Sequence, residues 1–177
     1  MADILSVMGD FADKIPGIFD WSLRRIYKEE VIKNRIVVDL TSHTGAVKAQ
    51  LLGSADITAL IRISNYTPFE LTVENITLEF RWDGINRKIY KGNYEKIPAS
   101  AEQNIYLKED LSTEQAHKIA KAAERPLNAP TLSCQIDFSN RLYRFQKYDQ
   151  FRDFPLDIVN KDNVLKQLKE ENAIAAE

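Results

Sequence analysis

The feature that most constrains this chain is a change of hydrophobic period near Arg35. Before it, apolar residues recur at helical spacing; after it, they alternate. Ile36, Val38 and Leu40 share one parity, and Ile57, Ala59, Ile61 and Ile63 alternate with Asp56, Thr58, Arg62 and Ser64. A strand sends successive side chains to opposite faces, so these segments read as strands with one buried face. Leu71 and Val73 hold one parity while Ile76, Leu78, Phe80 and Trp82 hold the other, which predicts a bulge near Glu74 and Asn75. Asp83-Gly84 supplies a turn. Further strands are expected over Lys88 to Tyr94, Asn104 to Leu107, Leu132 to Phe138 and Arg141 to Tyr148, the last two forming a hairpin through Ser139-Asn140. Strands in succession, mostly without helices between them, predict an antiparallel sandwich with Ile61, Ile63, Phe80, Trp82, Ile136 and Phe138 in its core.

Helical patterns flank and interrupt this series. Ile4, Met8, Phe11 and Ile15 form an apolar stripe that ends at Pro16-Gly17. A second helix is expected from Asp20, with Leu23, Ile26, Tyr27 and Val31 on one face and Arg24, Arg25, Lys28 and Glu29 on the other. Such a segment serves either as a lid packed on the domain or as an amphipathic element that engages a partner or a membrane surface. The acidic Asp3, Asp10 and Asp13 would be repelled by anionic lipid, so Ile4, Met8, Phe11 and Ile15 are read as a protein-binding stripe. Ser112 and Gln115 form a capping box ahead of Ala116, Ile119, Ala120 and Ala123, and Pro126 stops that helix. A short helix is also expected from Asp162. The chain thus divides into a helical segment over residues 1–34, a sandwich over 35–158 and a tail over 159–177.

Composition narrows the chemistry. With 177 residues and 44% hydrophobic content the chain fits one domain with a sizeable core. Its 24 basic and 26 acidic residues leave a net charge of −2, so any attraction to nucleic acid must be local. One cysteine and two histidines provide neither an intramolecular disulfide nor an ordinary zinc site. Aspartates interrupt every apolar stretch of the opening MADILSVMGDFADKIPGIFDW, which argues against a secretory signal and for a cytoplasmic protein. No phosphate loop, dinucleotide glycine pattern or nucleophile elbow is present. His43 lies beside hydroxyls, His117 beside Lys118, and Cys134 has the inward parity of Leu132 and Ile136. The expectation is a non-enzymatic protein without metal or cofactor.

From Arg141 to Phe154, basic and aromatic residues interleave. That pattern gives phosphate contacts and stacking platforms in single-strand nucleic-acid binders, with Arg141, Arg144, Lys147 and Arg152 as candidate contacts. The competing expectation, which is preferred, is an edge strand guarded by charge.

The run ADITALIRISNYTPFELTV from Ala55 to Val73, followed by ITLEFRWDG from Ile76 to Gly84, resembles the second late-embryogenesis-abundant superfamily, which includes the water-stress and hypersensitive-response (WHy) domain. The shared pattern is an alternating strand, an asparagine-proline-aromatic turn and a second alternating strand that ends in a turn. Here Tyr66 and Thr67 separate Asn65 from Pro68-Phe69, and the turn Ile97-Pro98-Ala99-Ser100 resembles the later hairpin. The similarity spans roughly residues 35–156. It implies an immunoglobulin-like or fibronectin III-like sandwich without enzymatic activity, linked to stress protection or to work near membranes. Three roles follow as expectations: an interaction or accessory module that binds a protein partner or itself, a membrane-proximal protein attached through its N-terminal helix, and a single-strand nucleic-acid binder.

Overall fold

The computed structural model describes residues 18–41, 45–152 and 154–174. In chain order the elements are α1 (Ile18–Ile26), α2 (Glu29–Lys33), β1 (Ile36–Leu40), β2 (Val47–Gln50), β3 (Asp56–Asn65), β4 (Leu71–Trp82), β5 (Ile85–Ile97), β6 (Ala101–Asp110), α3 (Thr113–Glu124), β7 (Thr131–Ser139), β8 (Arg144–Arg152), β9 (Leu156–Val159) and α4 (Lys161–Ile174). The protein is mainly β, with two sheets in a sandwich.

In one sheet β3 is central. It pairs antiparallel with β6 from Asp56 opposite Asp110 to Asn65 opposite Ala101. Its other side holds β1 and β2 end to end, and β9 joins β2 in parallel, Val47 opposite Leu156. The second sheet has the order β5-β4-β7-β8 and is antiparallel throughout. The alternation does what it predicts: Ile61, Ile63, Phe80, Trp82, Ile136 and Phe138 are all buried. The register of β4 shifts between Val73 and Asn75 against both neighbours, so the two apolar parities face the same interior. Asp83 (φ 42°) and Gly84 (φ 81°) both lie in the left-handed region, as a two-residue turn of the hairpin type requires.

The ends of the sandwich are pinned by side chains. Fully buried Asn65 closes β3: its Nδ2 donates to the carbonyls of Phe69 (2.8 Å), Ile97 (3.2 Å) and Pro98 (2.9 Å), and its Oδ1 accepts from the N–H (3.0 Å) and hydroxyl (2.7 Å) of Thr67. One amide therefore ties the β3–β4 turn to the β5–β6 turn. Along one flank β5 and β6 run side by side in different sheets, joined by side chains. Arg87 donates to the carbonyl of Asp110 (3.2 Å) and lies 3.4 Å from Glu109; Lys91 donates to the carbonyl of Tyr106 (3.1 Å).

The helices depart from one expectation. Leu23, Ile26, Tyr27 and Val31 do not share a buried face: Leu23 and Tyr27 pack on the core, whereas Ile26 and Val31 are exposed. The helix breaks between Ile26 and Glu29, so the second segment has its own rotation and buries Ile32 instead. Tyr27 meets Phe69 edge to face, centroids 5.2 Å apart. The Ser112–Gln115 capping box is formed in both directions, and α3 buries Ala116, Ile119, Ala120 and Ala122. Small side chains let a helix approach its neighbours closely; α3 packs against α4, whose Val164 is buried.

Candidate interaction surfaces

Three surfaces of the sandwich present exposed aromatic, basic or apolar groups. The first is the outward face of α1. Its inner side is clipped to the β7–β8 hairpin by an ion pair from Arg141 to Asp20 (3.0 Å), by the Tyr143 hydroxyl donating to the carbonyl of Arg24 (3.3 Å), and by the Arg24 guanidinium over the Tyr143 ring (5.5 Å). With that side committed, the outer side shows Trp21 and Ile26, each 66% exposed. The Arg25 guanidinium lies 5.1 Å from the Trp21 ring centroid. The stripe Ile4, Met8, Phe11 and Ile15 lies outside the described residues, as does His43.

The second surface is the basic and aromatic stretch of β8. Arg144 and Arg152 are on its outer face, while Lys147 shares the inward parity of Phe145 and Phe151. Carboxylates meet three of the four cations: Arg141 contacts Asp20, Arg144 contacts Glu74 (3.0 Å) and Lys147 contacts Asp149 (3.5 Å). Arg152 contacts Gln150. Arg87, Lys88 and Lys91 cannot extend this patch, because β5 and β8 are opposite edges of their sheet. The exposed Tyr148 and Tyr90 are likewise separated by Thr77 and Gln135 in one row. An inward Lys–Asp pair on an edge strand is a device against edge-to-edge pairing.

The third surface is a cleft of about 500 Å³, which the sequence did not announce. Trp82, Leu127, Phe154, Leu156 and Ile158 line it, together with Pro126 and Pro130 of the α3–β7 connector. The connector is fixed by the Asp83 turn: the Asp83 carboxylate accepts the N–H of Leu127 (2.9 Å) and of Asn128 (3.1 Å) and the Asn128 side-chain amide (3.0 Å). Trp82 Nε1 donates to the Asn128 carbonyl (2.8 Å), so its polar edge is satisfied while its ring faces the cleft.

Among the described residues no group of three or more His, Cys, Asp or Glu side chains converges as a metal site, and no helix is long and apolar enough to cross a membrane. Cys134 is buried, and burial, with a smaller contribution from the negative Asp149, pushes its thiol up to about 12. It stays protonated at neutral pH and is a poor nucleophile.

No family model and no curated protein matches the chain. Solved structures do match. One structural-genomics target, SoR45, is 12% identical with a TM-score of 0.47, covering 68% of this chain and 87% of its own. The solution structure of AT1g01470 from Arabidopsis thaliana is 11% identical with a TM-score of 0.41, covering 68% and 78%. That of At2g46140.1, designated a late embryogenesis abundant protein, is 12% identical with a TM-score of 0.30, covering 85% and 86%.

Proposed function

We propose that this protein is a non-enzymatic binding module of late-embryogenesis-abundant type, with an immunoglobulin-like or fibronectin III-like framework, and that α1 docks it onto a protein partner. The observation that carries the reading is Trp21, two-thirds exposed beneath Arg25 on a helix whose opposite side is fixed to the sandwich. Exposed tryptophan and arginine on a rigid support are the residue types that dominate binding energy at protein interfaces. The neighbouring charge specifies the partner further. Asp20 is engaged by Arg141 and Glu29 by Lys33, while the Arg25 guanidinium lies over the Trp21 ring and Lys28 and Glu30 are both exposed. An apolar pocket with an acidic rim complements that face.

Lipid is the less suitable occupant. A helix lying in a membrane interface buries a continuous apolar face, but Leu23 of α1 and Tyr27 just after it already pack on their own domain. The ion pairs of β8 support edge protection rather than nucleic-acid binding as the role of Arg141 to Arg152.

The test compares intact protein with a Trp21→Ala/Ile26→Ser variant, both sites being exposed. A discrete protein retained from a lysate by the parent and lost by the variant, at unchanged melting temperature, is the expected result. Equal retention by both, or flotation of the parent with phosphatidylserine-containing vesicles, would overturn it.

A further inference from the structure

We propose that the outer edge of β9, with the cleft beside it, is a receptor for an extended segment of another protein that carries apolar side chains at alternate positions and acidic flanks. This surface is separate from α1. The α1 clamp is at the β7–β8 turn and the cleft at the far end of those strands, where Thr131 is opposite Arg152. Nine residues of strand separate the two ends by about 30 Å.

The Leu51 N–H donates to the Val159 carbonyl (3.2 Å), which fixes the parity by which β9 bonds β2. Val159 and Asp157 turn their main-chain groups toward β2; Leu156 and Ile158 therefore turn theirs outward, and among the described residues nothing bonds them there. The same two residues line the cleft. One row of open hydrogen-bonding groups thus borders one apolar trough, the combination that strand addition uses: main-chain bonds give affinity and alternate side chains enter pockets.

The outward carbonyls of Tyr106 and Asp110 on β6 are covered by Lys91 and Arg87, and β8 carries the inward pair Lys147 and Asp149. β9 has neither guard; its one charged residue, Asp157, has the opposite parity to the cleft-lining Leu156 and Ile158. The cleft is also of the size that binding sites occupy, roughly 300–1,000 Å³. Charge then selects the occupant. Arg125, next to the lining residue Pro126, and Arg152, two residues before Phe154, are exposed and have no carboxylate partner among the described residues. They complement acidic positions flanking the apolar ones.

The experiment selects phage-displayed random dodecapeptides on the intact protein and titrates the enriched peptides into a Trp21→Phe variant. That variant has Trp82 as its only tryptophan, so emission reports the cleft. Expected are alternating apolar and acidic sequences with a saturable emission change. Ile158→Pro removes an outward N–H without touching the bonds to β2 and should weaken binding at least tenfold. Leu127→Asp should do the same at a site 85% exposed, where folding is indifferent. Failure to enrich such sequences, peptides that bind as helices, or binding undiminished in both variants would overturn the proposal. Loss of the α1 partner in the Trp21→Ala/Ile26→Ser variant bears only on the other surface.

Discussion

Replacing Asn65 tests whether one side chain holds an end of the sandwich. In Asn65→Ala, the Thr67 N–H and the Ile97 carbonyl lose their partner in a buried setting, while the Thr67 hydroxyl keeps a route to the Phe69 carbonyl (3.0 Å). An orphaned buried polar group costs roughly 1–3 kcal/mol, so two of them give a loss of about 3 kcal/mol. For a domain of this size that lowers the melting temperature by about 6–12 °C. Asn65→Asp is the sharper variant, because it keeps the shape and inverts the chemistry: a carboxylate would face the carbonyl oxygens of Phe69, Ile97 and Pro98. The folded state should hold that proton more tightly than the unfolded chain. A folded pKa raised above the unfolded value near 3.9 means stability is fully present below about pH 4 and falls as pH rises, by up to about 1.4 kcal/mol per unit until the folded pKa is passed. Urea unfolding from pH 3 to 8, referenced to the parent at each pH, measures both effects. Asn75→Ala serves as the control, since its bonds go to Asp137 and Tyr90 on the outer face. A loss below about 1 kcal/mol in Asn65→Ala, with a flat pH difference for Asn65→Asp, would refute the reasoning.

Two further outcomes are expected. The Cys134 thiol, pushed up to about 12 from an ordinary value of 9.0, should react with a thiol reagent far more slowly in native than in unfolded protein; the folded state holding the proton, stability relative to Cys134→Ala should decline as pH rises above about 9. Asp83→Ala removes an acceptor for three N–H donors and places alanine at a left-handed φ, so urea unfolding should show a loss of about 2 kcal/mol, with Trp82 emission shifted as the connector loosens.

The sandwich was legible because its long strands keep strict parity: the change at Val73 to Ile76 was visible as a bulge before any neighbour was known. β2 and β9 were not legible. Each has four residues, too few to establish a period, and β9 is defined by pairing with a strand more than a hundred positions earlier, a relation no local pattern encodes. The cleft was missed for the same reason, since its walls come from β4, the α3–β7 connector and β9. The break after Ile26 was not legible, so Val31 rather than Ile32 was expected on the buried face. From Arg141 to Arg152 the sequence displayed the cations; the partners of Arg141 and Arg144, Asp20 and Glu74, lie far away in the chain and come close only by folding.

The flank where β5 meets β6 has a consequence for motion. A backbone ladder opens only when several bonds break together, but lysine and arginine side chains release and recapture single carbonyls one at a time, on the fast timescale of exposed rotamers. The two sheets are therefore joined along that side as by a row of latches rather than a weld. β6 has one edge locked into β3 and another free to breathe, and small changes in the angle between the sheets can be absorbed there without disturbing the amide knot at Asn65 or the Asp83 turn at the other end.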